Sequence, residues 1–100
     1  MIRKILELST AHVTESDIDQ LYDMDQLYDT EKFTALVDNY GAFFTVSYFD
    51  LLISPPDWTK RFSESFLKVL RYAIRNKCDF VRLDRDCRIE HDPDFDINNW

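Results

Sequence analysis

The sequence predicts an α/β domain of the α+β type: a three- or four-stranded mixed sheet with helices packed mainly on one face, in the order β-α-α-β-α-β with a short final strand optional. Three observations predict it. Ala42 to Phe49 and Cys78 to Leu83 are β-branched and aromatic runs suited to a sheet. Between them Phe62, Phe66, Val69, Leu70, Ala73 and Ile74 recur at helical spacing and make an apolar stripe. A hydrophobic share of 45%, with 1 Gly and 3 Pro, supplies the apolar area that a disordered chain lacks. At 100 residues the chain is expected to be one compact domain, 1–100.

Met1 to Leu8 reads as a first strand, with Ile2, Leu6 and Leu8 on one face and Ile5 on the other. Ser9 to Thr14 then leads to a helix starting near Glu15. Thr14 suits the N-cap and Asp17 the capping-box position three residues on, while Glu15 and Asp17 complement the positive end of the helix dipole. This helix carries the one internal repeat, Asp19 to Met24 followed by Asp25 to Thr30. A period of six turns the second copy by about 240° around the axis, so both Leu-Tyr pairs cannot face one core. Ile18, Leu21, Met24 and Tyr28 form the expected buried stripe, which leaves Tyr22 and Leu27 at its margin or exposed.

Thr30 is expected to cap a second short helix with Phe33, Leu36, Val37 and Tyr40 inward and Gly41 as its left-handed C-terminal cap. A strand over Lys32 to Val37 is the rival. In the strand from Ala42 to Phe49, Phe43, Thr45 and Ser47 alternate with Phe44, Val46 and Tyr48. Ser54-Pro55-Pro56-Asp57 breaks regular structure, and Trp58 is a lid over the core or an exposed anchor. The third helix runs from about Lys60 to Asn76, with Glu64, Lys68, Arg71 and Arg75 on its outer side. Strand, helix and strand in succession then predict a parallel pair with a right-handed crossover. Cys78 to Leu83 is the expected central strand, Asp84-Arg85-Asp86 a turn, and Cys87 to Glu90 a short antiparallel strand. The tail from Asp92 to Trp100 is acidic, with Phe95, Ile97 and Trp100 as anchors expected to pack.

Charge narrows the function. The net charge is −7, and residues 1–50 hold ten acids against three bases, whereas residues 51–100 hold nine of each. Direct binding to nucleic acid through such a surface would meet phosphate repulsion. No apolar run approaches the roughly 20 residues that span a bilayer, and Met1-Ile2-Arg3-Lys4 leads to Glu7 instead of a signal-peptide core, which predicts a cytoplasmic protein without a membrane partner. Cys78 and Cys87 on one strand would stand about 30 Å apart, beyond the roughly 7 Å a disulfide tolerates, so two free thiols are expected unless a hairpin joins them.

Motifs for chemistry are weak. Asp84-Arg85-Asp86 after an apolar strand has the local look of a Mg²⁺ or phosphotransfer motif, but in that class of enzyme the motif opens the chain and is followed by further acids, a lysine and a larger fold, for which there is no room here. Asp92, Asp94, Asp96 and Asn98 alternate like calcium-loop ligands, with Ile97 where a glycine belongs and no closing glutamate. His12 and His91 are the only imidazoles, and no Cys-x-x-Cys or His-Glu-x-x-His spacing supports zinc. With one glycine there is no phosphate-cradling loop. No metal and no cofactor is predicted. Arg61, Lys68, Arg71 and Arg75 make a basic face expected to pair with the acidic first helix or a partner.

Glu15 to Glu31 holds seven acids and no base. Carboxylates at helical spacing imitate a phosphate track, and interleaved aromatic and aliphatic anchors supply contact area. Asp19, Tyr22, Asp23, Asp25, Leu27, Asp29 and Glu31 are therefore the expected partner-binding residues, for a partner with a basic, nucleic-acid-handling surface. The competing expectation is a small enzyme or ligand-binding domain using His12, Asp84 and Asp86.

Three stretches also resemble a known set of proteins: Leu8-Ser9-Thr10-Ala11-His12-Val13-Thr14, Tyr40-Gly41-Ala42-Phe43-Phe44, and Cys78 to Asp86 ahead of Trp100. The chain resembles a family of small bacterial and phage domains of unknown function with a Ser-Thr-x-His-hydrophobic-Thr opening, a Tyr-Gly-aromatic strand and a Cys-Asp-aromatic strand ending in Asp-x-Asp. Where that family places glycine after Asp-x-Asp, this chain has Cys87. The resemblance implies no activity or catalytic residue. It implies a phage or mobile-element origin, and with the acidic helix this leads to an expected inhibitor of host defence of the anti-CRISPR or anti-restriction type.

Overall fold

A computed structural model describes residues 2–27, 35–46 and 61–98. Its strands are β1 (Ile5–Leu8), β2 (Ala35–Asp38), β3 (Gly41–Thr45) and β4 (Phe80–Asp84), and its helices α1 (Glu15–Leu27) and α2 (Glu64–Arg75), with a 3-10 turn over Thr10–His12. The four strands form one mixed sheet in the order β1-β4-β3-β2. The stretch that opens at Cys78 thus supplies a central strand, as its composition predicts.

Register explains the core. Leu6, Val81, Phe44 and Ala35 lie opposite one another across the four strands, as do Leu8, Leu83, Ala42 and Val37. These alternate residues point to one face, where they join Leu21 of α1 and Phe66, Val69, Leu70 and Ala73 of α2 in a single cluster. Phe66 sits between Phe44, at 5.4 Å, and Phe62, at 4.1 Å. The other face carries Ile5, Phe43, Phe80 and Arg82, with Phe43 and Phe80 stacked at 5.1 Å.

Several expectations are corrected. Ile2 is 96% exposed and precedes β1, because pairing with β4 begins only at Ile5. The helix expected to end at Tyr40 is instead, over its described part, β2, so the rival strand reading holds there. Leu36 and Tyr40, which a helix would turn inward, are 58% and 50% exposed, while Ala35 is buried. Period 2 wins because β2 satisfies the outer edge of β3, and Asp38 closes the hairpin by accepting the amides of Tyr40 at 2.8 Å and Gly41 at 2.9 Å. Gly41 does not cap a helix; it opens β3.

β3 and β4 are antiparallel. The parallel pair with a right-handed crossover expected between them is therefore overturned; the parallel pair of the sheet joins β4 and β1. Cys87 to Glu90 forms no strand. The turn itself is present: the Cys87 amide donates to the Asp84 carbonyl at 3.0 Å. Both cysteines are free, Cys78 buried and Cys87 half-buried. Burial pushes the Cys87 thiol up, and Asp84 and Glu7 add to the effect.

Helix ends follow local chemistry. Thr14 and Asp17 form the expected capping box, the Thr14 amide donating to Asp17 Oδ2 at 2.8 Å and the Asp17 amide to Thr14 Oγ1 at 3.3 Å. Ser63 caps α2 through the Phe66 amide at 3.2 Å. At the far end the Cys78 amide reaches the Ala73 carbonyl at 2.9 Å and the Lys77 amide the Ile74 carbonyl at 3.0 Å, a Schellman closure. Lys77 occupies its left-handed position at φ 58°. Glycine fits there without the Cβ penalty, so Lys77→Gly is expected to stabilise the fold by about 1 kcal/mol, read as a higher urea midpoint at constant m-value. Ser47 to Lys60, with the Pro55-Pro56 loop and Trp58, lies outside the described residues, as do Tyr28, Thr30, Phe33 and Trp100.

Candidate functional site

Leu21 is fully buried and Ile18 half-buried, which fixes the orientation of α1 and places Glu15, Asp19 and Asp23 outward. Four residues apart, these three form a line along the helix, with successive Cβ atoms about 6 Å apart. Tyr22 stands beside them, 53% exposed. Among the described residues none of the three forms an ion pair, whereas Asp38, Glu64, Asp79, Asp84, Asp94 and Asp96 each do. Asp25 and Leu27 continue α1 with side chains outside those described, and Asp29 and Glu31 lie outside the described residues.

Among the described residues Lys68, Arg71 and Arg75 of α2 pair with the C-terminal tail and with their own helix, and none of them pairs with α1. Lys68 meets Asp96 at 2.7 Å, Arg75 meets Asp94 at 3.3 Å and Arg71 meets Glu64 at 2.9 Å. Lys68 and the Ser65 hydroxyl hold the Asp96 carboxyl below the usual carboxylate range. The alternating oxygens of the tail are thereby divided among cations and backbone amides, the Asp94 amide donating to Asp92 Oδ1 at 2.8 Å. Among the described residues no group of three His, Cys, Asp or Glu is arranged to hold a metal.

His12 is fully buried, and backbone groups take both of its ring nitrogens. Nδ1 lies 2.8 Å from the Asp96 carbonyl and must donate, while Nε2 accepts the Glu90 amide at 3.0 Å, which selects the neutral Nδ1–H tautomer. Phe95 packs on the ring at 5.1 Å, and the Asn98 amide donates to the Ala11 carbonyl at 2.7 Å. His12 thus fastens residues 90–98 to the 3-10 turn; of the anchors expected in the tail, Phe95 is buried, Ile97 is exposed and Trp100 lies outside the described residues. His91 is exposed. Asp84 faces Arg82 at 3.5 Å and accepts the Asp86 amide at 2.9 Å. No hydrogen bond joins His12 to Asp84 or Asp86 among the described residues, so the structure does not bring this trio together as one hydrogen-bonded site.

A groove absent from the sequence expectations lies where the parallel strands β1 and β4 end. It has a volume of about 290 Å³ and is lined by Thr10, Ile18, the Asp38–Gly41 turn and Arg85. Ligands of sheets with parallel strands commonly bind at the carboxyl ends of those strands. The Arg85 amide donates to the Tyr40 carbonyl at 2.7 Å, and its guanidinium lies 5.1 Å over the Tyr40 ring. Asp38 is fully engaged: Oδ1 takes the two turn amides and Oδ2 faces Arg82 at 3.2 Å. The Tyr40 amide foremost, then Arg82, holds its carboxyl below the ordinary range. The signal that could have exposed this groove is Asp38-Asn39, a turn pair ahead of the only glycine.

Fold and site together define a small α+β domain with a four-stranded mixed sheet, one unpaired acidic helix face and one polar groove at the sheet end. A family model for the C-terminal domain of DUF5983, a family of unknown function, matches residues 5–99, and the chain belongs to that family. No curated protein and no solved structure matches it. Among the described residues no helix is long and apolar enough to cross a membrane.

Proposed function

We propose that the chain is a non-enzymatic binding protein that lays the acidic face of α1 on a basic surface of a protein that handles nucleic acid. The observation that carries this reading is the line Glu15, Asp19 and Asp23, exposed beside Tyr22 and without an internal cation among the described residues. An unpaired row of carboxylates raises the field at that face and steers a basic partner, and a half-exposed tyrosine contributes contact area at low entropic cost. In its finer form the partner is a host complex and the chain an inhibitor of the anti-CRISPR or anti-restriction type, with carboxylates standing in for DNA phosphates.

Charge reversal tests the proposal. Asp19, Asp23 and Asp25 are changed together to lysine, leaving Glu15 to complement the helix N-terminus, and circular dichroism checks the fold. A partner captured from host lysate by the native chain is expected to be displaced by duplex DNA and to bind the variant at least about a hundredfold more weakly, since like charges set against each other cost several kcal/mol. Equal affinity for both chains, with the fold retained, would sink the acidic-face reading.

A further inference from the structure

We infer that the groove at the end of β1 and β4 is a binding site for a carboxylate carried on a compact apolar or aromatic body. The inference is independent of the acidic ridge. It starts from Arg85, which lies between Asp84 and Asp86 in sequence yet pairs with neither. Asp84 is committed to Arg82 and to the Asp86 amide, and Arg85 has no ion-pair partner among the described residues. Its backbone is fixed by the 2.7 Å bond to Tyr40 and its guanidinium by the ring of the same residue. An arginine held at the rim of a cavity with its planar donors unused is matched by a planar oxyanion.

The walls narrow the class. Asp38 has both oxygens occupied, and it shares Arg82 with Asp84, so two carboxylates are offset by one cation beside the groove. One unpaired cation next to this residual negative charge disfavours a phosphate dianion more than a monoanion. Thr10 and Asn39 add neutral polar groups, and Ile18 and Tyr40 add apolar surface. The volume of about 290 Å³ lies just below the small-molecule range of roughly 300–1,000 Å³, so the ligand body is about one ring in size.

The test is an amide-resolved NMR titration of the native chain with four probes: benzoate for a free organic acid, N-acetylphenylalanine for a peptide chain end, benzamide as the neutral match, and inorganic phosphate. Saturable shifts at Asn39, Tyr40, Gly41 and Arg85 are expected with either carboxylate, the tighter one naming the source, and not with benzamide or phosphate. Arg85→Gln is expected to weaken binding at least about tenfold. Arg85→Lys, which keeps the charge without the fork, should fall between. Asn39→Ala is expected to weaken binding severalfold and serves if the Arg85 variants do not fold. Absence of saturation with both carboxylates, equal shifts with benzamide or phosphate, or unchanged affinity in Arg85→Gln or Asn39→Ala would overturn the assignment.

Discussion

Replacing Asp17 by alanine is expected to lower the unfolding free energy by about 3–5 kcal/mol, among the largest effects of any single polar substitution in the chain. Asp17 is fully buried, yet it belongs to the exposed-looking acidic run of α1. Its carboxylate accepts the Thr14 amide at 2.8 Å, the Ser63 amide at 2.8 Å and the Ser63 hydroxyl. One side chain therefore closes the N-terminus of α1 and positions the residue that caps α2. Alanine leaves three half-buried donors without this acceptor, and each loses a charge-assisted bond worth about 1.5–3 kcal/mol before relaxation and rehydration. Asparagine keeps one oxygen and should cost about half as much. Urea unfolding measures both, and a cycle with Ser63→Ala should give a coupling above about 1 kcal/mol. Additive single effects would show that Asp17 acts within α1 alone.

Asp17 also shows what was legible in the sequence. The capping box with Thr14 is local, set by residues three apart, and it could be read directly. The bonds to Ser63 join positions 46 residues apart and left no trace in spacing. The same division runs through the fold. The stripe of α2 was legible because Phe66, Val69, Leu70 and Ala73 repeat at its own period. Leu36, Val37 and Tyr40 fit period 3.6 and period 2 about equally over so short a run, and pairing with β3 decided between them. That β3 and β4 run antiparallel rests on pairing between distant positions such as Gly41 and Asp84, which no local pattern announces. At the candidate sites, the charge of α1 could be counted, but that the line Glu15, Asp19 and Asp23 has no ion pair among the described residues while Lys68 and Arg75 turn to the tail is a tertiary fact. His12 stood out as one of only two imidazoles; only the positions of Glu90 and Asp96 show that backbone groups occupy both of its nitrogens.

Gly41→Ala should be at least as damaging, because it strikes the central pairing of the sheet. Gly41 lies opposite Asp84 across β3 and β4, with φ at 151°, in a region that side chains rarely enter. A Cβ there would stand 1.9 Å from the Leu83 carbonyl oxygen and 3.0 Å from the Thr10 methyl. The carbonyl is backbone within a paired strand and cannot rotate aside, so β3 must move away from β4. That movement strains the Arg85 bond to Tyr40 and the Asp38 closure of the hairpin, both of which shape the groove. Backbone strain of roughly 1–3 kcal/mol and overpacking of roughly 1–3 kcal/mol together predict a loss of about 3–5 kcal/mol. Where the variant still folds, amide exchange should quicken from Tyr40 to Phe44 and from Leu83 to Arg85, while the buried core of α2 keeps its protection. A urea midpoint within error of the native chain would mean that the two strands have room to part at Gly41, and the close approach that defines this end of the sheet would have to be abandoned.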